Sequence, residues 1–192
     1  SVGACLAGLK SVRKISGIHV PLELITNGKR TLANLLPRES DKKFVDLALL
    51  SLIYPYKVVT KKQRDTILEN TEYHLVRKKG VIRYKNDYYY NKNEDGVSEE
   101  AEWTFGMSWL TIIYNQIGDT EKANYYEKKT LETINKKGQV PELYYSNTDK
   151  ENENSPLGWS ESMFIIAIYM MNKKHIKLSH VLKTVESQTH FK

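Results

Sequence analysis

Apolar residues recur along this chain at spacings of three and four, which is the period of a helix with one face buried. Val2, Cys5, Leu6, Leu9, Val12 and Ile15 define a first helix with Gly17 as its stop, and Gly3, Ala4, Ala7 and Gly8 allow close packing. Pro21 suits the first turn of a second helix that carries Leu22, Ile25, Leu32, Leu35 and Leu36 before Pro37, with Asn27-Gly28 as a point of interruption. Asp41 is placed to cap a third, in which Phe44, Val45, Leu47, Leu49, Leu50 and Ile53 are dense enough to predict a nearly buried inner helix ending ahead of Pro55. Thr60 and Gln63 have capping-box spacing, and a more polar helix follows through Ile67, Leu68, Leu75 and Val76 to Gly80.

The period then changes. Val81 to Tyr84 reads as a short extended stretch, followed by a polar and aromatic loop over 85–98. Trp103 to Ile117 returns to an apolar helix, Gly118-Asp119 makes a turn, and Ala123 to Lys137 forms a polar partner helix closed by Gly138. A second long loop covers 139–155, and Pro156 opens a last apolar helix in which Leu157, Phe164, Ile165, Ile168, Tyr169 and Met170 are expected to pack. A buried helix, a polar helix and a loop thus occur twice over. The pattern predicts an all-α, two-layer arrangement of helical hairpins in one domain, 1–192.

Composition narrows the function. Lysine and arginine outnumber aspartate and glutamate by 29 to 23, but they are scattered among acidic residues, so no stripe shaped for a phosphate backbone emerges and no nucleic-acid partner is expected. The single cysteine excludes an internal disulfide and a cysteine-rich zinc site, which fits a reducing, cytoplasmic setting. No apolar run reaches the ~20 residues of a membrane helix, so no membrane partner is expected. Ser1 opens directly into an amphipathic helix without a cap, as a chain that begins in mid-fold would.

The unusual residues sit in the two loops. Aromatic rings offer flat apolar faces to pyranose C–H surfaces, while carboxylates, amides and a guanidinium bond hydroxyls. That mixture suits a sugar, although tyrosine-rich loops with charged neighbours also serve packing and solvation alone. The segments VIRYKNDYYY, EAEWTFGMSWLTIIYNQIGD, GQVPELYY and PLGWS resemble, in order and spacing, those of family 15 glucoamylases, glucodextranases and related α-glucosidases, most strongly from Gly80 to Met171.

The resemblance implies an (α/α)6 barrel of the six-hairpin glycosidase type, of which this chain would supply the C-terminal part of the catalytic domain. It implies hydrolysis of terminal α-linked glucose from an oligo- or polysaccharide with inversion. Glu142, in the Pro-Glu-Leu segment, is similar to the general base that takes a proton from the attacking water. Arg83, Tyr84 and Asp87 resemble the Arg-Tyr-x-x-Asp segment whose arginine contacts hydroxyls. Glu102 with Trp103, and Trp159, resemble residues lining the sugar pocket. Trp103 also fits a core anchor. Two carboxylates suffice for inversion when they stand roughly 6.5–9.5 Å apart, so no metal or organic cofactor is expected.

The sequence departs from the family in two places. Glu161 stands where histidine, tyrosine or asparagine is usual, and it reads best as a charge at a helix N-terminus. No glutamate matches the family's general acid, which would fall just upstream of Ser1, and the pattern supplies fewer helices than six hairpins require. A truncated chain that associates with its missing part or with itself is the expectation. The alternatives are a barrel relative without chemistry, like the regulatory subunits of phosphorylase kinase, or a helical-repeat scaffold. Glu-Trp-x5-Trp-Leu with Tyr114, Gly118, Ala123 and Tyr126 has a tetratricopeptide flavour, but no second copy follows at the required period.

Overall fold

A computed structural model describes residues 1–91 and 99–189, and the side chains of 174–189 are outside the description. The later part of the loop predicted over 85–98 therefore lies outside the described residues. Six α-helices dominate: α1 (Val2–Val12), α2 (Leu22–Leu35), α3 (Lys61–His74), α4 (Phe105–Ile117), α5 (Thr120–Leu131) and α6 (Gly158–Thr189). Two strands of two residues each, β1 (Glu102–Trp103) and β2 (Leu143–Tyr144), and one 3₁₀ helix accompany them among the described residues, so the all-α expectation holds. No helix among the described residues is long and apolar enough to cross a membrane. The chain divides into two compact units, Ser1–Trp103 with Tyr144–Lys150, and Thr104–Leu143 with Glu151–Lys192.

In the first unit α1 packs on α2 through Leu6, Ile25 and Leu32, all buried. Gly28 does not interrupt α2; it makes room for Leu6, whose side chain would lie 3.3 Å from an added Cβ. The third predicted helix is replaced by a 3₁₀ helix, Leu47–Leu52. Its cap is Asp46, not Asp41: Asp46 is extended and its carboxylate accepts from the Ala48 N–H at 2.8 Å, while the Leu47 N–H donates to the Arg83 carbonyl at 2.7 Å. Those bonds hold the residues before Leu47 outside the helix, and Phe44 is exposed, against the edge of His74. The leucine run still forms core, with Leu47, Leu49, Leu50 and Leu52 buried.

The capping box at Thr60 forms as its spacing predicts, with the Gln63 N–H donating to the Thr60 hydroxyl and the Thr60 N–H to the Gln63 side chain. The helix ends at His74, short of Gly80, because Val76 to Val81 turns back on itself: Val76 bridges Val81, and the Arg77 N–H donates to the Gly80 carbonyl. Val81 bridges Trp103 in turn, so Gly80 lies against β1. A Cβ there would meet the Glu102 carbonyl carbon at 2.6 Å and the Trp103 oxygen at 2.7 Å, an approach only glycine permits.

In the second unit α4 is buried from Phe105 to Asn115 and packs against both α5 and α6, with α5 returning from α4 as the predicted hairpin. Gly118 ends α4 at φ +84°, and Asp119 caps α5 by accepting from the Lys122 N–H. The bounds differ from those predicted: Trp103, the expected first residue of α4, belongs to β1, and α5 begins ahead of Ala123 at Thr120 and stops at Leu131, short of Lys137. In α6 Ser160, Met163, Ala167 and Met171 are buried on one stripe. Ile165 and Tyr169, expected in the core, lie on the opposite side and are exposed, because the α4 contact covers only one face of the helix.

Candidate active site

Glu142 belongs to the second unit, where its main chain is pinned from two directions. Its carbonyl accepts from the Thr104 N–H at 3.3 Å, and its N–H donates to the Asn154 carbonyl at 3.2 Å. The Thr104 hydroxyl donates to the Pro141 carbonyl and lies 3.1 Å from the Ser160 hydroxyl, tying the start of α4 to the first turn of α6 and to the segment that carries Glu142. Two residues earlier the Val140 N–H donates to Glu161 at 2.8 Å. Glu161 lies in the first turn of α6, where its charge also suits the helix N-terminus.

The Glu142 side chain is buried, with 8 % of the residue exposed. Its Oε2 accepts from the side-chain amides of Asn152 at 2.6 Å and Asn154 at 2.7 Å. No hydrogen bond to Oε1 and no ion pair of Glu142 occurs among the described residues. Asn152 and Asn154 were invisible to a reading of the sequence, because Glu151-Asn-Glu-Asn looks like solvated loop. Trp159, at the start of α6, stacks on Phe105 with ring centroids 4.1 Å apart, and 52 % of it stays exposed. A ring held on one face and open elsewhere is a platform for a flat apolar ligand surface.

The first unit holds the remaining predicted residues. Arg83 and Asp87 form a bidentate pair, Nε to Oδ2 at 2.6 Å and Nη2 to Oδ1 at 2.8 Å. The guanidinium lies over the rings of Trp103, 4.6 Å from the centroid, and Tyr89, at 5.0 Å. Its hydrogen bond to Asp87 raises its pKa above the already high ordinary value, against the lowering effect of burial. Asp87 is buried and also accepts from the Tyr89 N–H, so it acts on surroundings through Arg83, whose Nη1 makes no hydrogen bond among the described residues. Tyr84 faces the Lys43 ammonium at 3.6 Å. Trp103 is buried at 6 % exposure and stacks with Tyr89.

Glu102 is fully buried, and its carboxylate accepts from two main-chain N–H groups, Lys79 through Oε2 and Asn147 through Oε1 at 2.9 Å. Glu99 accepts from the Ser146 hydroxyl and the Asn147 side-chain amide, each at 2.6 Å, and Glu100 from the Asn86 N–H. Tyr88, Tyr89, Tyr90, Asn91 and Tyr145 line an open cleft of about 340 Å³.

No family model matches the chain. It is 26% identical over 213 residues to a probable phosphorylase b kinase regulatory subunit alpha of Caenorhabditis elegans, covering 86% of this chain and 17% of that one. It is 24% identical over 209 residues to an uncharacterised glycosyl hydrolase of Methanocaldococcus jannaschii, covering 90% of this chain and 32% of the relative. The chain thus spans about a third or less of these curated relatives. Among solved structures, a wild-type glycosidase superposes with a TM-score of 0.70 at 17% identity, over 89% of this chain and 51% of that one. A variant glycosidase gives 0.72 with the same identity and coverage. The fold is therefore of the glycosidase, all-α barrel type, and the chain has a distant relative among glycosyl hydrolases.

Proposed function

We propose that this chain is part of a glucoamylase-like, family 15 type glycosidase that releases terminal α-linked glucose with inversion, Glu142 serving as general base. The observation that carries this reading is the environment of Glu142: a buried carboxylate with no cationic partner among the described residues, held on one oxygen by two neutral amides. Neutral donors restrain an ionised carboxylate without committing it to an ion pair, which leaves a lone pair for a water proton. Arg83 offers Nη1, which makes no hydrogen bond among the described residues, to sugar hydroxyls while Asp87 fixes its plane. In the second unit Trp159 offers a ring face to the sugar; in the first, Trp103 backs the Arg83 guanidinium, and Tyr84 and Glu102 support the segments that carry Arg83 and Trp103. The substrate is an oligo- or polysaccharide, and the general acid lies outside the residues assigned here.

A second reading is favoured by the matches to phosphorylase kinase regulatory subunits: a barrel that binds sugar or partner protein without hydrolysis. Glucose release from maltotetraose, isomaltotriose and trehalose by the chain, beside Glu142→Gln, separates the two. Hydrolysis that falls roughly 10²–10⁴-fold in the variant, with sugar binding retained, supports the base. Absence of Glu142-dependent release from all three, also after the segment that carries the acid is supplied, supports the non-catalytic relative.

A further inference from the structure

Glu142 is held at three points by one short stretch. Asn154 takes its N–H with a carbonyl and its Oε2 with an amide, Asn152 takes the same Oε2, and the Asn152 N–H donates to the carbonyl of the next residue, Leu143, at 3.3 Å. Both donors converge on a single carboxylate oxygen. That convergence fixes the side-chain torsion and makes the two oxygens inequivalent: Oε2 is saturated, and Oε1 has no partner among the described residues. The outlay is visible in Asn152, whose buried Oδ1 has no partner among the described residues while its amide serves Glu142. A buried asparagine that forgoes half of its hydrogen-bonding capacity is held for what its other half does.

We infer that Asn152 and Asn154 are positioning residues that lock Glu142 through Oε2 and present Oε1 as the atom that accepts the proton from water. The inference rests on the reading of Glu142 as base. The amides contribute no proton of their own: the water O–H bond breaks, its proton passes to Oε1, and the resulting hydroxide oxygen forms the new bond to the anomeric carbon as the glycosidic oxygen leaves with a proton from the acid.

Asn152→Asp keeps shape and packing but turns a donor toward Oε2 into an acceptor, whereas Asn154→Ala deletes one donor. Both are expected to lower kcat roughly 10–100-fold with KM nearly unchanged, because a misaligned base affects the transition state more than binding. Placed on Glu142→Gln, neither should reduce the residual rate further, since residues acting through one group are not additive. Losses that add to that of Glu142→Gln, or that simply follow a fall in Tm, would overturn the assignment. A readout without turnover covers a chain that hydrolyses nothing. The side-chain amide resonances of Asn152 and Asn154 should shift together on acid titration, and Glu142→Gln should abolish the shift. With no hydrolysis even when the acid-bearing segment is supplied, a joint shift retains the lock while refuting the glycosidase reading; amides indifferent to pH would overturn the lock itself.

Discussion

Glu102→Gln isolates what one buried carboxylate does for the first unit. The wild-type side chain accepts one main-chain N–H on each oxygen, from Lys79 and from Asn147, and is itself fully buried. Glutamine keeps the shape but has one oxygen, so its amide nitrogen must face one of the two N–H donors. Asn147 is exposed and water can replace its bond, whereas Lys79 is half-buried, so the oxygen is expected to stay with Lys79. The loss is then one hydrogen bond to a charged group, about 2 kcal/mol, with the repulsion at Asn147 relieved by hydration. Glu102→Ala removes both bonds and leaves a void, and about 4 kcal/mol is expected. Urea unfolding followed by circular dichroism should show the midpoint falling in that order at constant slope. Amide exchange should speed up at Asn147 more than at Lys79 in the glutamine variant. A glutamine variant within about 0.5 kcal/mol of wild type would refute the reasoning, because surface-like substitutions fall in that range.

Gly80→Ala should destabilise the same unit by about 1–3 kcal/mol, since its Cβ would lie 2.6 Å from the Glu102 carbonyl carbon and main chain must move; an unchanged unfolding midpoint would disprove the close approach. Thr60→Ala opens the capping box of α3 and should remove about 1 kcal/mol, seen as a lower melting temperature with the rest of the spectrum retained. Arg83→Ala should weaken sugar binding by about 1.5–3 kcal/mol by calorimetry, and unchanged affinity would return Arg83 to a structural role. Because the Arg83 pKa is raised, its charge-dependent contribution is fully present below the ordinary guanidinium value and lost only at more alkaline pH. Affinity dependent on Arg83 should therefore not decline between neutral and mildly alkaline pH.

Periodicity and local chemistry alone determined much of this protein: its helical class, the α4–α5 hairpin with Gly118 and Asp119 at the turn, the capping box at Thr60, and the two loops that hold the candidate residues. These are contacts between residues three or four apart, whose geometry is set by the helix itself. Arg83 and Asp87 stood out through the family resemblance, but they lie outside any helix, and their pairing came from the structure. Tertiary structure decided the rest. Leu47 bonds to Arg83 and moves the cap from Asp41 to Asp46; β1 crowds Gly80 and helps turn the chain after His74; α4 covers one side of α6 and leaves Tyr169 outside. The partners of Glu142 belong here too: Thr104 lies 38 residues away, and Asn152 and Asn154 only 10 and 12, yet neither separation corresponds to a repeat of any local element. Such pairings depend on how the loop closes back on itself, and no hydrophobic pattern specifies the direction in which a loop amide points.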